Sequence, residues 1–332
     1  MLQLMLHAHP RIAIPPENRF LLPVYDQRRS FGDLTIAENR RKLASFICEG
    51  TGTAFRDLGL DPQTTIDEIV AGPPTIGSAV GIVLRAYARR HGKPRWGDKR
   101  PAYLLNLDVV TTMFPDAQII HIVRDGRDCV ASMKEAAWFQ HSIYKAVSSW
   151  TRGVDEGHRV ARQLGPKSYF DIYYEKLVTD PETELRRLCQ FVGEDFDPAM
   201  LAPNELASVA VPARKTWHSL THQAPTDERV GSWAHRLEPW EIGLCETIMG
   251  TRLIAHGYQL SGGHKAGAGH LARYTKEGAH NRLSKWRRTG TAAYHRVRPV
   301  KNVAARLTSA ERATLPERSA KDSEPSQAAR RP

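Results

Sequence analysis

The sequence predicts an α/β fold in which helices cover a parallel β-sheet, and three observations indicate it. Short apolar runs alternate with segments of helical composition over residues 1–260. Two of these runs, at 117–123 and 168–174, are rich in the branched and aromatic residues that favour strands. A helix-forming segment follows each run, and strands separated by helices favour parallel pairing with right-handed crossovers.

The first of these runs, AQIIHIV at 117–123, contains a single histidine among apolar residues. Continuous apolar character is typical of a parallel strand that is covered on both faces. Residues 128–140 have helical composition, and Gly126 between the two segments is expected to allow a tight turn.

The second run, SYFDIYY at 168–174, precedes a helix whose start and end are marked by individual residues. Asp180 suits the N-cap and Pro181 the first helical position, while Gly193 follows the last turn of the apolar pattern. Residues 238–256 are a further helix candidate.

The 332-residue chain has a formal net charge of +11, and this charge is confined to its C-terminal part. Residues 261–332 contain 16 basic and 5 acidic side chains, so residues 1–260 are neutral. A neutral body argues against a protein whose main function is nucleic-acid binding. We therefore predict a domain at 1–260 and a basic tail at 261–332 that is partly helical or disordered.

The tail begins with the glycine-rich stretch SGGHKAGAG at 261–269, which has the composition of a linker. Tyr274, Trp286 and Tyr294 lie among basic residues, and from Thr308 the composition is typical of disorder. Two interpretations stay open for the tail. It is either a solvated extension or an arm that binds an acidic partner, such as RNA, an acidic carrier or an anionic membrane.

The cysteines argue against a zinc site and against a disulfide framework, because they are scattered and form no C-x-x-C pair. They are Cys48, Cys129, Cys189 and Cys245. The longest apolar run near the start is too short for a membrane span or a signal sequence. We therefore expect a cytoplasmic protein with no metal and no membrane span.

A stretch with four charges in five residues, RDGRD at 124–128, ends the first apolar run. In an open α/β sheet, ligands bind beyond the carboxyl ends of the strands, where a following helix offers free N–H groups and a positive dipole end. The Arg124 guanidinium can bind a phosphate in a forked geometry, and Ser132 can add a hydroxyl from the helix. A phosphorylated ligand would explain these charges, and a solvent-exposed turn is the alternative that the spacing alone leaves open.

Five stretches, in chain order, carry a resemblance to a known family. They are H-P-x-x-x-x-P-P-E-N-R-F at 9–20, W-G-D-K-R-P at 96–101, V-R-D-G-R-D-x-x-x-S at 123–132, Y-E-K-L-V-T-D-P-E-x-E-L-R-R-L at 174–188 and R-V-G-S-W at 229–233. The set resembles the bacterial and tyrosylprotein-type branch of the sulfotransferases that use 3′-phosphoadenosine 5′-phosphosulfate (PAPS). The resemblance implies the P-loop-containing nucleotide hydrolase-like sulfotransferase fold, with a parallel sheet flanked by helices.

The same resemblance implies transfer of a sulfuryl group from PAPS, without a metal, to a hydroxyl or amine acceptor. This acceptor is a small molecule, a carbohydrate, a lipid or a tyrosyl side chain. Glu17 occupies the position of the base that takes the acceptor's proton, and Lys99 that of the cation that neutralises the bridging oxygen. Arg19 is expected to assist near the acceptor, while His9, the competing base, is expected to be structural.

The resemblance also implies which residues contact the nucleotide. Arg124 and Ser132 would hold its 3′-phosphate. The residues expected to lie around the rest of the nucleotide site are Gly126, Tyr174, Arg229 and Gly231. For Tyr174, a packing role is an equally open alternative.

One part of the family pattern does not occur in the sequence. The family's 5′-phosphosulfate loop, P-R-S-G-T-T, normally follows the first strand and opens the helix that ends in L-x-x-H-P. Here that helix is the segment 1–10, so the loop and the first strand would precede Met1. We expect a start site assigned too late, and weak or no activity of the chain as written. The alternative is a non-catalytic remnant of the fold that binds a nucleotide or a partner.

Two other functional classes agree less well with the sequence. A P-loop kinase would need the motif G-x-x-x-x-G-K-[ST], which does not occur. Nucleic-acid binding by the tail would appear as a salt-sensitive interaction that is lost when residues 261–332 are deleted.

Overall fold

The computed structural model of the chain describes residues 1–203, 226–263, 265–278 and 300–306. Much of the predicted basic tail therefore lies outside the described residues, including Trp286, Tyr294 and the stretch from Thr308.

Four short strands form two parallel two-stranded sheets. They are β1 (Ile12–Ala13) paired with β2 (Arg95–Trp96), and β3 (Ile119–Val123) paired with β4 (Tyr169–Tyr173). The register places Val123 opposite Tyr173 at the carboxyl end of the second sheet. Because paired parallel strands end side by side, the residues that follow β3 and β4 meet at one edge.

Helices connect and surround the two sheets. They are α1 (Leu2–Ala8), α2 (Leu21–Asp26), α3 (Ala37–Glu49), α4 (Pro62–Ala71), α5 (Ile76–Arg90), α6 (Leu107–Met113), α7 (Gly126–Glu135), α8 (Ile143–Leu164), α9 (Tyr174–Thr179), α10 (Pro181–Val192), α11 (Trp233–Arg236) and α12 (Pro239–Ala255). Residues 268–278 are also helical. Within the described ranges, no helix combines the length and the apolar character needed to cross a membrane.

Local sequence signals explain where two of the predicted helices begin and end. The Asp180 carboxylate accepts the Thr183 N–H at 3.3 Å, Pro181 opens α10, and Gly193 follows it with a φ of +75°. Glu238 is the N-cap of α12. The sequence predictions of both helices are confirmed.

The two sheets are neighbours in the fold. Met5 of α1, Ile12 of β1 and Ile172 of β4 are buried in one apolar cluster. Arg95 of β2 also reaches the second sheet, because its Nη2 donates to the side-chain oxygen of Gln118 at 3.1 Å, directly before β3. The starts of β2 and β3 are therefore adjacent.

Two details of the unit formed by β3 and α7 differ from the sequence prediction. Ile122 is 43% exposed, so β3 is not covered on both faces; within the described residues it pairs with β4 alone. The helix begins at Gly126, with Asp125 as its N-cap, and Gly126 has no left-handed φ. The glycine is required for packing instead, because a Cβ there would lie 2.7 Å from Met249 Sδ and 2.8 Å from the Trp150 ring.

The described parts of the tail contact the body of the protein. Glu246 of α12 accepts the Ser261 N–H at 2.7 Å and the Ser261 hydroxyl at 2.9 Å, so the start of the predicted linker is anchored. Residues 300–306 reach α5, where the Gly77 N–H donates to Val303 O at 2.8 Å and Val303 joins the apolar core.

Replacing Gly126 with alanine is expected to lower the free energy of unfolding by about 1–3 kcal/mol, since the added methyl group overlaps Met249 and Trp150 in a packed core. Chemical denaturation followed by circular dichroism measures this loss. Gly52→Ala is the matched control, because no heavy atom lies within 4 Å of a Cβ at that position. Equal stabilities of the two variants would contradict this account of Gly126.

Candidate functional site

The carboxyl ends of both sheets carry the predicted site residues. Glu17 and Lys99 come shortly after β1 and β2, whereas Arg124 and Tyr174 directly follow β3 and β4. The first two residues are in contact although 82 positions separate them, and the second two are stacked on each other. We call the first group the Glu17–Lys99 pair. The second group, completed by Arg229, is the arginine cluster.

Glu17 and Lys99 form an exposed ion pair. Glu17 Oε2 lies 3.4 Å from Lys99 Nζ, and the two side chains are 26% and 44% exposed. A contact of this length between partly exposed charges is weak, so both groups stay accessible to a bound molecule. Such a carboxylate can accept a proton from a hydroxyl, while the ammonium group stabilises negative charge on a nearby oxygen.

Asp98 connects the two chain segments that carry this pair. Its Oδ1 accepts the Asn18 Nδ2–H and the Lys99 backbone N–H, each at 2.8 Å, and its Oδ2 accepts the Tyr103 hydroxyl at 2.5 Å. Asn18 is fully buried and directly follows Glu17. Asp98 therefore fixes the spacing between Glu17 and Lys99 through the residues next to them.

The environment of Asp98 changes its protonation. Burial raises the pKa of the Asp98 carboxyl to about 6, and hydrogen bonds from Tyr103 and Asn18 oppose only part of this effect. Burial and the Asp98 carboxylate together raise the pKa of the Tyr103 hydroxyl far above its ordinary value. Tyr103 therefore remains a hydrogen-bond donor, and the network gains its negative charge near pH 6.

His9 and Arg19 differ in how they are engaged. The Arg11 N–H donates to His9 Nδ1 at 3.1 Å, and His9 Nε2 lies 2.8 Å from Asp195 O, so both ring nitrogens are used. These contacts favour the structural role that the sequence predicts for His9. The Arg19 side chain is exposed, while its backbone N–H donates to Thr53 O at 2.8 Å, so the guanidinium is accessible.

The Arg124 guanidinium is held by two neighbours and retains an unused donor. Its Nη2 donates to Arg229 O at 2.7 Å, and its Cζ lies 4.3 Å from the centre of the Tyr174 ring. Its Nε is buried and has no hydrogen-bond partner within the described residues. A buried cationic donor without a partner fits a phosphate oxygen, which forms short, charge-assisted hydrogen bonds with guanidinium.

The N-terminus of α7 offers less to an anion than the sequence predicts. Glu175 Oε1 accepts the Asp125 N–H at 2.8 Å, and the Asp125 carboxylate accepts the Arg127 N–H at 2.8 Å. These carboxylates occupy N–H groups of the first turn and oppose the positive end of the helix dipole. An anion at this edge would depend on the side chains of Arg124 and Ser132.

Ser132 and Gly126 occupy different environments on α7. Ser132 is partly exposed, and its hydroxyl bonds no other residue within the described ranges. Gly126 is buried against Trp150, whose Nε1 donates to Arg124 O at 3.0 Å. The absence of a side chain at Gly126 therefore lets Trp150 come close enough to hold the backbone of Arg124.

Arg127, the second arginine after β3, is neutralised by its neighbours. Its side chain is 3% exposed and pairs with Asp125 at 2.7 Å and with Glu246 at 2.6 Å. Its guanidinium also lies 3.9 Å from the centre of the Trp233 ring. Of the two arginines, Arg124 is therefore the one available to a phosphate.

The segment 229–233 lies against this cluster. The Arg229 guanidinium pairs with Glu135 at 3.3 Å, while the Arg229 carbonyl binds Arg124. Gly231 is exposed and has a φ of +68°, a left-handed conformation that favours glycine. The structure thus brings Arg229 into contact with Arg124 and uses Gly231 to form the turn beside it.

The described residues near the site include neither a cluster of metal ligands nor a reactive thiol. In the part of the chain that the structure describes, no three histidine, cysteine, aspartate or glutamate side chains are grouped to hold a metal ion. Cys129 lies next to the arginine cluster in sequence, but burial raises the pKa of its thiol to about 12. It is therefore protonated and a poor nucleophile at neutral pH.

Sequence reasoning missed the carboxylates that support the site. Asp98, Asp128 and Glu175 each bond a predicted site residue or its immediate neighbour. All three lie inside the motifs of the sequence analysis. In a sequence, an acidic residue beside a basic one is equally typical of a solvent-exposed turn. The supporting role of these three carboxylates is therefore visible only from the groups that they bond in the structure.

Comparison with known proteins identifies a family. The family model described as "Sulfotransferase family" matches residues 1–198. A protein-tyrosine sulfotransferase of Drosophila melanogaster is 28% identical over 212 residues, which are 62% of this chain and 38% of that protein. Protein-tyrosine sulfotransferase 1 of Danio rerio is 26% identical over 217 residues, 63% of this chain and 54% of that protein. The chain spans about half the length of the curated relatives it matches.

A solved structure agrees with the predicted fold class. A sulfotransferase domain from the curacin biosynthetic pathway superposes with a TM-score of 0.54 at 21% identity. The superposition covers 78% of this chain and 93% of that domain. The predicted α/β sulfotransferase fold is confirmed.

Asp98→Asn is expected to change how stability depends on pH. The raised pKa favours the protonated carboxyl in the folded state, so ionisation of Asp98 lowers stability as the pH rises from about 4 to about 6. The free energy of unfolding of the unchanged chain should therefore fall, relative to that of Asp98→Asn, across this window. Urea denaturation at several pH values measures the difference.

Asp116→Asn is the control for this measurement, because Asp116 is an exposed aspartate outside the Asp98 network. A stability difference between the unchanged chain and Asp98→Asn that is constant from pH 4 to pH 6 would argue against the raised pKa of Asp98.

Proposed function

This chain belongs to the sulfotransferase family, and we propose that it transfers a sulfuryl group from PAPS to a hydroxyl or amine of an acceptor. The family match over residues 1–198 supports sulfuryl transfer in general. The observation that carries the proposal is the 3.4 Å contact between Glu17 and Lys99, which combines a proton acceptor and a cation at the carboxyl edge of β1 and β2.

In the proposed reaction, Glu17 accepts the proton of the acceptor hydroxyl or amine. The acceptor atom attacks sulfur in line with the leaving oxygen, so a new S–O or S–N bond forms while the bond from sulfur to the bridging phosphate oxygen breaks. The electron pair leaves with 3′-phosphoadenosine 5′-phosphate (PAP). Lys99 stabilises the negative charge that develops on its oxygen.

The ion pair suits this reaction because it can open. When Lys99 Nζ turns towards the oxygens of PAPS, the Glu17 carboxylate is left to face the acceptor. Asp98 keeps the two backbones at a fixed spacing during this change, since its hydrogen bonds go to Asn18, the Lys99 N–H and Tyr103 and not to the moving groups. Arg19, which is exposed nearby in sequence, is proposed to assist at the acceptor.

The arginine cluster is proposed to bind the 3′-phosphate of the nucleotide. The buried Nε of Arg124 lacks a partner, and a phosphate oxygen would supply one. The hydroxyl of Ser132 is available for a second hydrogen bond. Tyr174 holds the guanidinium by stacking, which supports a positioning role for its ring in addition to packing.

The acceptor is proposed by chemical class only. A tyrosyl peptide is the first acceptor to assay, because the relatives from Drosophila melanogaster and Danio rerio are named as protein-tyrosine sulfotransferases. Small-molecule, carbohydrate and lipid hydroxyls are the other acceptors in the proposal. The cytoplasmic location and the acidic partner of the basic tail stay predictions.

Arg124→Ala is expected to weaken PAP binding by about 100-fold, because loss of a charge-assisted guanidinium–phosphate contact costs about 2–3 kcal/mol. Isothermal titration calorimetry with PAP measures the dissociation constant. Arg162→Ala, which removes an exposed arginine of α8, is the control and should bind within twofold of the unchanged chain. If Arg124→Ala keeps full affinity, the 3′-phosphate is held elsewhere.

Glu17→Gln is expected to lower turnover by about 100- to 10,000-fold, the usual contribution of a positioned general base, while PAP affinity stays the same. Transfer of radiolabelled sulfate from PAPS to the best of the tested acceptors provides the rate. Glu38→Gln, at an exposed carboxylate of α3, should retain full activity. Undiminished turnover of Glu17→Gln would assign the base to another residue. PAP binding by the unchanged chain without transfer to any acceptor would agree both with the weak activity that the sequence predicts and with the non-catalytic alternative.

A further inference from the structure

We propose that Asp128 is a positioning residue of the nucleotide site. Its carboxylate holds the segment 229–233 against α7, and the Arg229 carbonyl of this segment in turn fixes the Arg124 guanidinium for the 3′-phosphate. The inference rests on the proposed function, because it assumes that Arg124 binds PAP.

Three hydrogen bonds join Asp128 to the segment. Its Oδ1 accepts the Ser232 hydroxyl at 3.0 Å and the Trp233 N–H at 2.8 Å, and its Oδ2 accepts the Gly231 N–H at 2.9 Å. Asp128 is 0% exposed, and Ser232 is 3% exposed. The carboxylate is thus enclosed by the segment it binds.

The donors at this position require a carboxylate. Two of the three are backbone N–H groups, which cannot reverse their direction, and they approach different oxygens of Asp128. An asparagine has one carbonyl oxygen, so its amide N–H would face either the Gly231 N–H or the Trp233 N–H. The place of Asp128 in the first turn of α7 also stabilises its negative charge through the helix dipole.

The turn of the segment suits this contact. Gly231 has a left-handed φ of +68°, and no heavy atom would lie within 4 Å of a Cβ at this position. Glycine is therefore favoured here by the backbone conformation and not by a lack of space. The Val230 N–H donates to Asp227 O at 2.7 Å, and this N–H belongs to the same peptide group as the Arg229 carbonyl. This bond keeps the Arg229 carbonyl at a fixed place relative to the residues that Asp128 binds.

The Arg229 carbonyl links the position of the segment 229–233 to the orientation of the Arg124 guanidinium. It accepts a hydrogen bond from Arg124 Nη2 at 2.7 Å. The contact with the Tyr174 ring keeps the guanidinium over the ring, but it does not determine how the guanidinium is rotated parallel to the ring. The carbonyl therefore determines which way the unpartnered Nε points. Loss of the segment's anchor would leave Arg124 with several orientations, of which few suit the phosphate.

Glu135 makes a second contact with the segment at the protein surface. Glu135 pairs with the Arg229 side chain at 3.3 Å and with Arg236 at 2.7 Å, but Glu135 is 48% exposed. The pair with Arg229 is exposed on both sides and is therefore weak and screened by salt, whereas Arg236 holds Glu135 with two hydrogen bonds of 2.7 Å. Neither contact involves the Gly231 and Trp233 amides, which bond the fully buried carboxylate of Asp128.

The test compares PAP with adenosine 5′-phosphate, which lacks the 3′-phosphate. Asp128→Asn is expected to weaken PAP binding by about 10- to 100-fold and to leave adenosine 5′-phosphate binding within about twofold. We define discrimination for the 3′-phosphate as the dissociation constant of adenosine 5′-phosphate divided by that of PAP, both from calorimetry. This ratio should fall by the same factor of about 10 to 100. A general loss of structure would weaken both ligands equally, and that result would overturn the proposal.

Two control variants accompany this test. Ser232→Ala removes the hydroxyl bond and keeps both backbone bonds, so its discrimination should change by less than about threefold. Glu135→Gln removes the exposed contact and should leave discrimination unchanged. If Glu135→Gln lowers discrimination as much as Asp128→Asn does, the anchor is Glu135 and the proposal is wrong.

Hydrogen exchange of the unchanged chain keeps the proposal testable if Asp128→Asn does not fold. The Gly231 and Trp233 amides, both bonded to Asp128, should exchange slowly and more slowly still with PAP bound. Fast exchange at both amides would overturn the proposal. An unchanged chain that does not bind PAP at all would refute the proposed function, whereas PAP binding with full discrimination in Asp128→Asn would refute the role of Asp128 alone.

Discussion

A buried arginine, Arg127, joins the elements that carry the proposed nucleotide site. Its guanidinium pairs with Asp125 at the start of α7 and with Glu246 of α12, donates to Gln259 O at 2.8 Å and lies over the Trp233 ring. Removal of one partner from a buried ion pair typically costs about 3–5 kcal/mol, because a charge is left without compensation. The position of α7, and with it that of Arg124, therefore depends on this arginine being fully paired.

The sheets provide the second constraint. Because Val123 lies opposite Tyr173, the next residues of the two parallel strands, Arg124 and Tyr174, emerge side by side and stack. The same geometry in the first sheet, where Ala13 lies opposite Trp96, brings two chain segments of distant sequence together. Parallel pairing thus places the residues that we propose to bind ligands next to each other, without any sequence signal that links them directly.

The sequence predicted the elements next to the motifs but not the environments of the charges that these motifs contain. Pro181 and Gly193 determine the ends of α10 through φ restrictions and an N-cap, which are local effects. The exposure of Ile122 and the packing role of Gly126 depend instead on what lies across from them, namely a single paired strand and the side chains of Met249 and Trp150. No local pattern contains that information. In the same way, the motifs indicated Glu17, Lys99 and Arg124, but not Asp98 or Asp128, whose function depends on partners distant in sequence.

In each motif, some polar groups are proposed to bind a ligand while others bond the protein itself. Lys99 is accessible while its neighbour Asp98 is bonded internally, and Arg124 retains a free donor while Asp128, four residues later, is enclosed. A group that binds a charged ligand must keep a donor free for that ligand, so it cannot use the same donor to fix its own position. A second group nearby in the chain can fix the position of the ligand-binding group precisely, because few rotatable bonds separate the two groups. The acidic residues that look like surface charges in these motifs are therefore what allows the basic ones to stay available.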